Sequence, residues 1–323
     1  MIPLRDTSQS RNYPVVNTLL IAANVIVYFM QVAQGQAEGK FIFVYGLVPA
    51  RYSAPELSSY FSAGQQWFAL LSFMFLHGGF WHLLGNMWSL YIFGDNVEDR
   101  MGPFRYVLFY LLCGWASGLT HLVTNWHSQI PTIGASGAIA GVMGGYLLLY
   151  PRAKILTLIP ILIIPYFIEI PAYFFLGIWF VLQFLNALGS SGGSTGVAWW
   201  AHIGGFVFGI VLLKLFLMIP ELGMTRQLRP STRKSGTPRL RMVRSSGAGQ
   251  EADTHARLTI SPAEALFGTR KVVTVPWGVR SRLFRVRVPA GVTDGTVLRL
   301  SGLGRPLPGG ARGDLYLEVS IES

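Results

Sequence analysis

Gly134-Ala135-Ser136-Gly137-Ala138-Ile139-Ala140-Gly141-Val142-Met143-Gly144-Gly145 opens an apolar run that continues to residue 151. Gly137, Gly141 and Gly145 recur every four residues and so form one small face along a helix, the kind of surface that lets neighbouring backbones approach closely in lipid. Ser136 stands at the first turn. A serine there has two readings: a helix cap, or a hydroxyl held for chemistry. Gly205 and Gly209 repeat the small-residue device one turn below His202.

Outward from this stretch, six apolar segments are long enough to cross a hydrocarbon core of about 30 Å. They lie near 15–33, 70–94, 104–124, 136–151, 171–187 and 198–219. Between the fourth and fifth, residues 153–170 are apolar but interrupted by Pro160 and Pro165. That segment is expected to run along the membrane surface or dip into it. Charged residues are only 13% of the chain, where a soluble domain carries about 25%, so lipid is the solvent the sequence anticipates. Polar residues from Met1 to Asn12 lead straight into the first apolar run without a small-residue cleavage site, so no cleavable signal is expected.

Charge sets an expected orientation. Arg5 and Arg11 precede the first span, Arg100 and Arg105 separate the second and third, and Arg152 and Lys154 follow the fourth. Residues 121–135 and 187–197 hold no Lys or Arg. Basic loops face the cytoplasm, which places both ends of a six-span chain there. Ser136 and His202 then begin spans of the same direction and sit at similar depth near the outer side.

The composition changes after Pro220. Residues 1–220 contain 9 Lys and Arg against 7 Asp and Glu, and residues 221–323 contain 17 against 8, so the halves carry +2 and +9 of the total +11. A basic, flexible linker is expected over 221–256, held near anionic lipids or simply solvated. From Arg257 onward, period-two runs such as Leu283-Phe284-Arg285-Val286-Arg287-Val288 and Leu315-Tyr316-Leu317-Glu318-Val319 alternate with Gly, Pro and Asp turns, the pattern of a small β domain over 257–323.

An imidazole in a membrane helix is costly and needs a purpose or a partner. If the two glycine faces pack together, His202 comes within reach of Ser136 and can take its hydroxyl proton. In the second span His82 and Asn86, four apart, share a helix face. They either bridge helices or donate to an oxyanion, together with the Ser136 backbone N–H. His77, His82 and His202 make three imidazoles, but His77 and His82 are five apart and no HExxH glutamate accompanies them. Neither a metal nor another cofactor is expected. His121 and His127 are expected to be solvated near the outer loop. No acidic residue is placed to orient His202, so its ring has to be held by packing. Cys113 is the only cysteine, so the chain has no internal disulfide.

At these residues the sequence resembles the rhomboid family of intramembrane serine proteases. The likeness covers about 13–219 and rests on His77-Gly-Gly-Phe-Trp-His82-Leu-Leu-Gly-Asn86, Gly134-Ala-Ser136-Gly137 and Ala201-His202-Ile-Gly-Gly205, in order on the right spans. The resemblance implies an all-α polytopic membrane protein, a six-transmembrane-helix rhomboid bundle, with Ser136 as nucleophile and His202 as general base. His82, Asn86 and backbone amides near Ser136 would form the oxyanion hole. Substrates would be single-span membrane proteins entering beside the fifth span. Glu98-Asp99-Arg100-Met101-Gly102 also looks like the family's turn after span two. Two positions depart from the family pattern. The Trp-Arg pair of many members is replaced by Trp67-Phe68-Ala69, and Ala140 stands where some members stack an aromatic on the histidine.

The tail resembles the substrate-binding C-terminal β domain of DnaJ-type co-chaperones, through Leu258-Thr-Ile-Ser-Pro-Ala-Glu-Ala-Leu-Phe-Gly268, Val288-Pro-Ala-Gly-Val-Thr-Asp-Gly295 and Gly313-Asp-Leu-Tyr-Leu-Glu-Val319. It implies binding of unfolded polypeptide. There is no His-Pro-Asp and hence no J domain. Partners expected are membrane-protein substrates, the bilayer and unfolded chains, and no nucleic acid. The short loops and lack of a transit peptide suggest a bacterial inner membrane. The rival class is a non-catalytic adaptor that recognises unstable membrane segments; a transporter fits poorly because the spans carry almost no charge.

Overall fold

Within lipid every backbone N–H and C=O must be paired inside its own segment, so apolar runs become helices. The computed structural model describes residues 2–8, 10–161, 164–189, 197–219, 241–243, 253–277, 280–306 and 311–321. Strand β1 (Ile2–Asp6) precedes α1 (Val15–Val32), followed by α2 (Glu38–Tyr45), α3 (Ala50–Ser53), α4 (Pro55–Ser58) and α5 (Ala63–Ser72). Next come α6 (Phe80–Met101), α7 (Pro103–Thr124) and α8 (Ser136–Leu149), then β2 (Lys154–Ile161) and β3 (Ile164–Pro171), and then α9 (Ala172–Gly189) and α10 (Trp199–Met218).

Four described helices, α1, α7, α9 and α10, are long and apolar enough to cross a membrane. The expected second span, 70–94, is not one straight helix. A 3-10 turn, Phe73–Phe75, extends α5, and this unit meets α6 at a 79° bend. The break holds Gly79 at φ +152°, which a side chain would resist. Counted as one span, this pair makes a fifth. The expected fourth span, 136–151, is a helix of 14 residues; at 1.5 Å per residue it measures about 21 Å, short of the ~30 Å core. Among the described residues four helices, or five with the bent pair, are thus long and apolar enough to cross a membrane; the expected six is not confirmed, because α8 is too short to be counted by length. Residues 153–170 form the β2–β3 hairpin, onto which β1 pairs as a third strand.

The short helix is the centre of the bundle. Every residue from Gly137 to Tyr146 is buried, as an apolar helix without a polar stripe must be. The α10 backbone lies directly against it. A Cβ added to Gly205 would stand 2.0 Å from the Gly137 carbonyl oxygen, one on Gly209 2.2 Å from that of Gly141, and one on Gly144 2.3 Å from that of Phe206. Gly145, expected on this face, meets Phe109 of α7 instead. At 3.6 residues per turn, seven residues close two turns, so Gly144 rather than Gly145 continues the line begun by Gly137.

Polar residues stitch the ends. Glu98 of α6 accepts the Val16 and Asn17 amides at 3.0 and 2.7 Å, capping α1 from a neighbouring helix, and Asp99 accepts the Asn12 amide at 2.9 Å. Gly102 at φ +81° ends α6 and Pro103 starts α7. Arg51 is buried with its guanidinium 3.8 Å from the Phe61 ring centroid and 5.0 Å from that of Phe43, and it donates to the Val44 carbonyl at 3.0 Å. The first loop thus has a buried arginine, though not beside Trp67.

Residues 235–323 form a second compact unit. The expected linker, 221–256, falls largely outside the described residues. Here β4 (Arg241–Val243), β5 (Thr254–Ile260), β9 (Leu315–Ile321) and β8 (Val297–Leu300) form a sheet in that order, with β5 and β9 parallel. Helix α11 (Pro262–Phe267) is started by a Ser261–Glu264 capping box, and β6 (Thr269–Trp277) and β7 (Arg280–Val288) form a hairpin. Alternate strand residues, among them Leu258, Val273, Val286, Leu317 and Val319, build the core. The period-two runs read from the sequence are its strands.

Candidate active site

Ser136 is the first residue of α8, and its backbone N–H belongs to the helix turn that has no intrahelical acceptor. His202 lies in the first turn of α10. The glycine contacts set the register: Gly205 seats on the carbonyl of Gly137, the residue after Ser136. As a result His202 Nε2 and Ser136 Oγ are 2.8 Å apart.

The other ring nitrogen decides the direction of that bond. His202 Nδ1 is 2.8 Å from Gln183 Oε1. An amide oxygen only accepts, so Nδ1 carries the proton. In the neutral ring Nε2 is then bare and accepts the Ser136 O–H. A hydroxyl donating into an imidazole whose far side is already bonded is the arrangement from which a base can take the proton. Gln183 was not foreseen. It is buried in α9, whose other residues are mostly apolar, and a glutamine in an apolar helix was the signal available. Trp179, one turn earlier, lies tilted at 33° to the His202 ring with centroids 6.1 Å apart, and Trp199 meets the ring edge-on at the same distance. These two indoles, and no ring from position 140, flank the histidine.

His82 and Asn86 reach the same place from α6. His82 Nδ1 accepts the Gly78 amide at 3.2 Å, so its proton sits on Nε2. That nitrogen points at Gly134: a Cβ there would be 2.9 Å from it and 3.6 Å from Ser136 Oγ. Gly134, at φ +129°, is where the loop passes between the two side chains. Asn86 is buried, and among the described residues its Nδ2 has no hydrogen-bond partner. A buried free donor costs roughly 1–3 kcal/mol, so it marks a place prepared for an acceptor. Ser136, His202, His82 and Asn86 all line one cavity of about 950 Å³.

His121 departs from expectation. It is buried rather than solvated, because 131–133 folds back over the last turn of α7: Nε2 is 2.6 Å from Thr132 Oγ1 and Nδ1 is 3.3 Å from the Asn125 amide. His127 is exposed as expected. His77 packs edge-on to His82, with ring centroids 5.2 Å apart, and its backbone is bracketed by the Gln31 side chain.

Residues 64–219 match the family described as Rhomboid domain. This region is a rhomboid domain. Residues 250–323 match the DnaJ C terminal domain and carry that second module. RHOMBOID-like protein 5 of Arabidopsis thaliana is 29% identical over 169 residues, covering 50% of this chain and 47% of that protein. Rhomboid protein 1, mitochondrial, of Saccharomyces cerevisiae is 28% identical over 155 residues, covering 44% and 40%. The second module is similar to the Curved DNA-binding protein of Coxiella burnetii, 37% identical over 98 residues, covering 23% and 31%. The chain thus spans less than half the length of each. The rhomboid domain and its apolar helices make the chain an integral membrane protein.

Proposed function

We propose that the rhomboid domain is an intramembrane serine endopeptidase working through a Ser136–His202 dyad. The 2.8 Å contact between His202 Nε2 and Ser136 Oγ, with Nδ1 fixed by Gln183, is the observation that carries this reading. His202 takes the hydroxyl proton as Oγ attacks the scissile carbonyl. His82 Nε2–H, Asn86 Nδ2–H and the Ser136 backbone N–H stabilise the oxyanion that develops. His202 then protonates the leaving amine, and a water activated by the same ring hydrolyses the acyl-enzyme.

Substrates are single-span membrane proteins, and the DnaJ C-terminal module binds unfolded polypeptide. The membrane is a bacterial inner membrane with both termini cytoplasmic, a reading supported by the basic loops at 100–105 and 152–154. The test is cleavage of a fluorescent single-span substrate in proteoliposomes. Wild type cleaves; Ser136→Ala and His202→Ala do not, and a fluorophosphonate probe labels wild type but not Ser136→Ala. An unlabelled wild type inactive on a substrate panel would favour the adaptor. Cleavage surviving in Ser136→Ala would remove the dyad.

A further inference from the structure

The β6–β7 hairpin carries a charge pattern that its own fold uses only in part. Residues 269–288 contain six basic side chains, Arg270, Lys271, Arg280, Arg282, Arg285 and Arg287, and no Asp or Glu. The strand register sets Arg270 opposite Arg287, Val272 opposite Arg285 and Thr274 opposite Leu283. Directly opposed residues share a face. The alternate residues Val273, Val275, Val286 and Val288 are buried in the core, so Arg270, Arg285, Arg287 and Leu283 share the outward face.

Like charges directly across a strand pair are destabilising, and here two arginines oppose each other. The described ion pairs of this unit go elsewhere: Lys271 to Glu264, Arg257 to Glu318 and Arg299 to Asp314. Arg270, Arg285 and Arg287 are exposed and form no ion pair among the described residues. In their midst Leu283 is 67% exposed. Just before the hairpin, at its Arg270–Arg287 end, Leu266 and Phe267 of α11 are exposed as well. Cations interleaved with free aliphatic and aromatic side chains suit an anionic interface with an apolar layer beneath it, the chemistry of a lipid headgroup surface. A nucleic acid answers the cations too, but a leucine set among arginines on a flat strand face is matched more fully by a continuous apolar layer beneath an anionic surface. The chain also enters this unit soon after a membrane helix, since 21 residues separate Ile219 from the first residue of β4.

We propose that the outward face of the β6–β7 hairpin, Arg270, Arg285 and Arg287 around Leu283, docks on the anionic surface of a lipid bilayer. The proposal does not depend on the protease reading. Each arginine near such a surface favours the docked state about fivefold, so the three together contribute roughly 150-fold.

The experiment uses the full chain in nanodiscs, with an environment-sensitive fluorophore on Thr274→Cys. That position lies opposite Leu283 on the same face, and Cys113 is buried. Emission should rise and shift to the blue in phosphatidylglycerol-rich discs relative to pure phosphatidylcholine. Raising salt should reverse it, because surface ion contacts are screened. The triple substitution Arg270→Gln, Arg285→Gln, Arg287→Gln should lower the docked-to-free ratio by about two orders of magnitude. The same response in both lipids, or one insensitive to salt, overturns the proposal whatever the variant's folding. A response to added duplex DNA but not to phosphatidylglycerol also overturns it and gives the face to nucleic acid.

Discussion

Replacing Gln183 by Met tests the geometry of the site at its most informative point. Met has similar length and fills similar space, yet offers no oxygen to His202 Nδ1, which now lies 2.8 Å from Gln183 Oε1. Gln183 is buried, so water does not readily take its place. Leaving a buried N–H donor without an acceptor costs about 1–3 kcal/mol. The ring escapes that cost by turning or by moving its proton to the other nitrogen, and either change removes the bare Nε2 that accepts the Ser136 hydroxyl. If the whole cost falls on the reactive arrangement, kcat drops between about 5-fold and about 150-fold, at roughly 1.4 kcal/mol per decade. The assay is the initial rate on a single-span substrate in proteoliposomes, paired with the labelling rate of Ser136 by a fluorophosphonate. Both fall together, while the melting temperature stays near wild type. Gln183→Glu restores an acceptor at the same reach and recovers much of the rate. A folded Gln183→Met protein within twofold of wild type on both assays would refute the role given to this bond.

Four further outcomes follow from packing and burial. Gly209→Ala sets a Cβ 2.2 Å from the Gly141 carbonyl oxygen and must push α10 off α8, so thermal unfolding in detergent should show a loss of about 1–3 kcal/mol with activity falling too. Gly177→Ala, where nothing lies within 4 Å, should be neutral or slightly stabilising in the same measurement. Arg51→Leu leaves the Val44 carbonyl without its donor and removes the cation between Phe43 and Phe61, so limited proteolysis should cut the first loop faster than in wild type. Half-buried Asp6 accepts from the Tyr146 hydroxyl and the Asn96 amide, and burial pushes its carboxyl from 3.8 up to about 6. A raised carboxyl makes the native state bind more protons than the unfolded one, so this stabilisation is full below about pH 4 and is lost as pH rises through 6. The shift of 2.2 corresponds to about 3 kcal/mol, cut to about 1–1.5 kcal/mol by its partial exposure. Part of it is already lost by pH 5, so hydrogen exchange of the β1 amides, corrected for intrinsic rates, should be about two- to threefold faster at pH 7 than at pH 5, and Asp6→Asn should abolish the difference.

What could be read from the sequence depended on how local its physical cause is. Apolar length gave α1, α7, α9 and α10 with ends within two residues of those observed. Period-two alternation gave the strands around Leu283 and Leu317, because burial on one face is written directly into the order of residues. The meeting of Ser136 and His202 was legible because glycines mark where backbones touch. The 79° break before α6 was not: it falls at Gly78-Gly79 inside a run that is mostly apolar, so average hydropathy passes over it. Gln183 escaped for another reason. Its partner is 19 residues away on a different helix, and nothing in a single amide announces which ring it holds. His121 was expected to be solvated because it lies near the outer loop, whereas that loop, eleven residues later, folds back and buries it.

An amide at this position also has a physical logic of its own, where the ring was expected to be held by packing alone. In water-rich sites a carboxylate can hold the far side of a catalytic imidazole because solvent and nearby donors share the cost of its charge. Inside a membrane domain a lone carboxylate near the bilayer interior costs several kcal/mol, and its attraction to the ring repays that only once the ring is charged. A neutral amide oxygen makes the same directed bond to Nδ1–H, fixes the same tautomer, and adds no ion to desolvate. It gives up the stronger stabilisation of an imidazolium during the reaction. The geometry around His202 makes up part of that difference with the Trp179 indole, tilted at 33° to the ring with centroids 6.1 Å apart, since the face of an indole attracts a cation. If this division of labour holds, replacing Trp179 by Leu should slow acyl transfer while leaving the Gln183 bond intact. Combining it with Gln183→Met should then cost less than the sum of the two, because both act on one ring. Strict additivity of the two substitutions would mean that the indole and the amide do unrelated jobs.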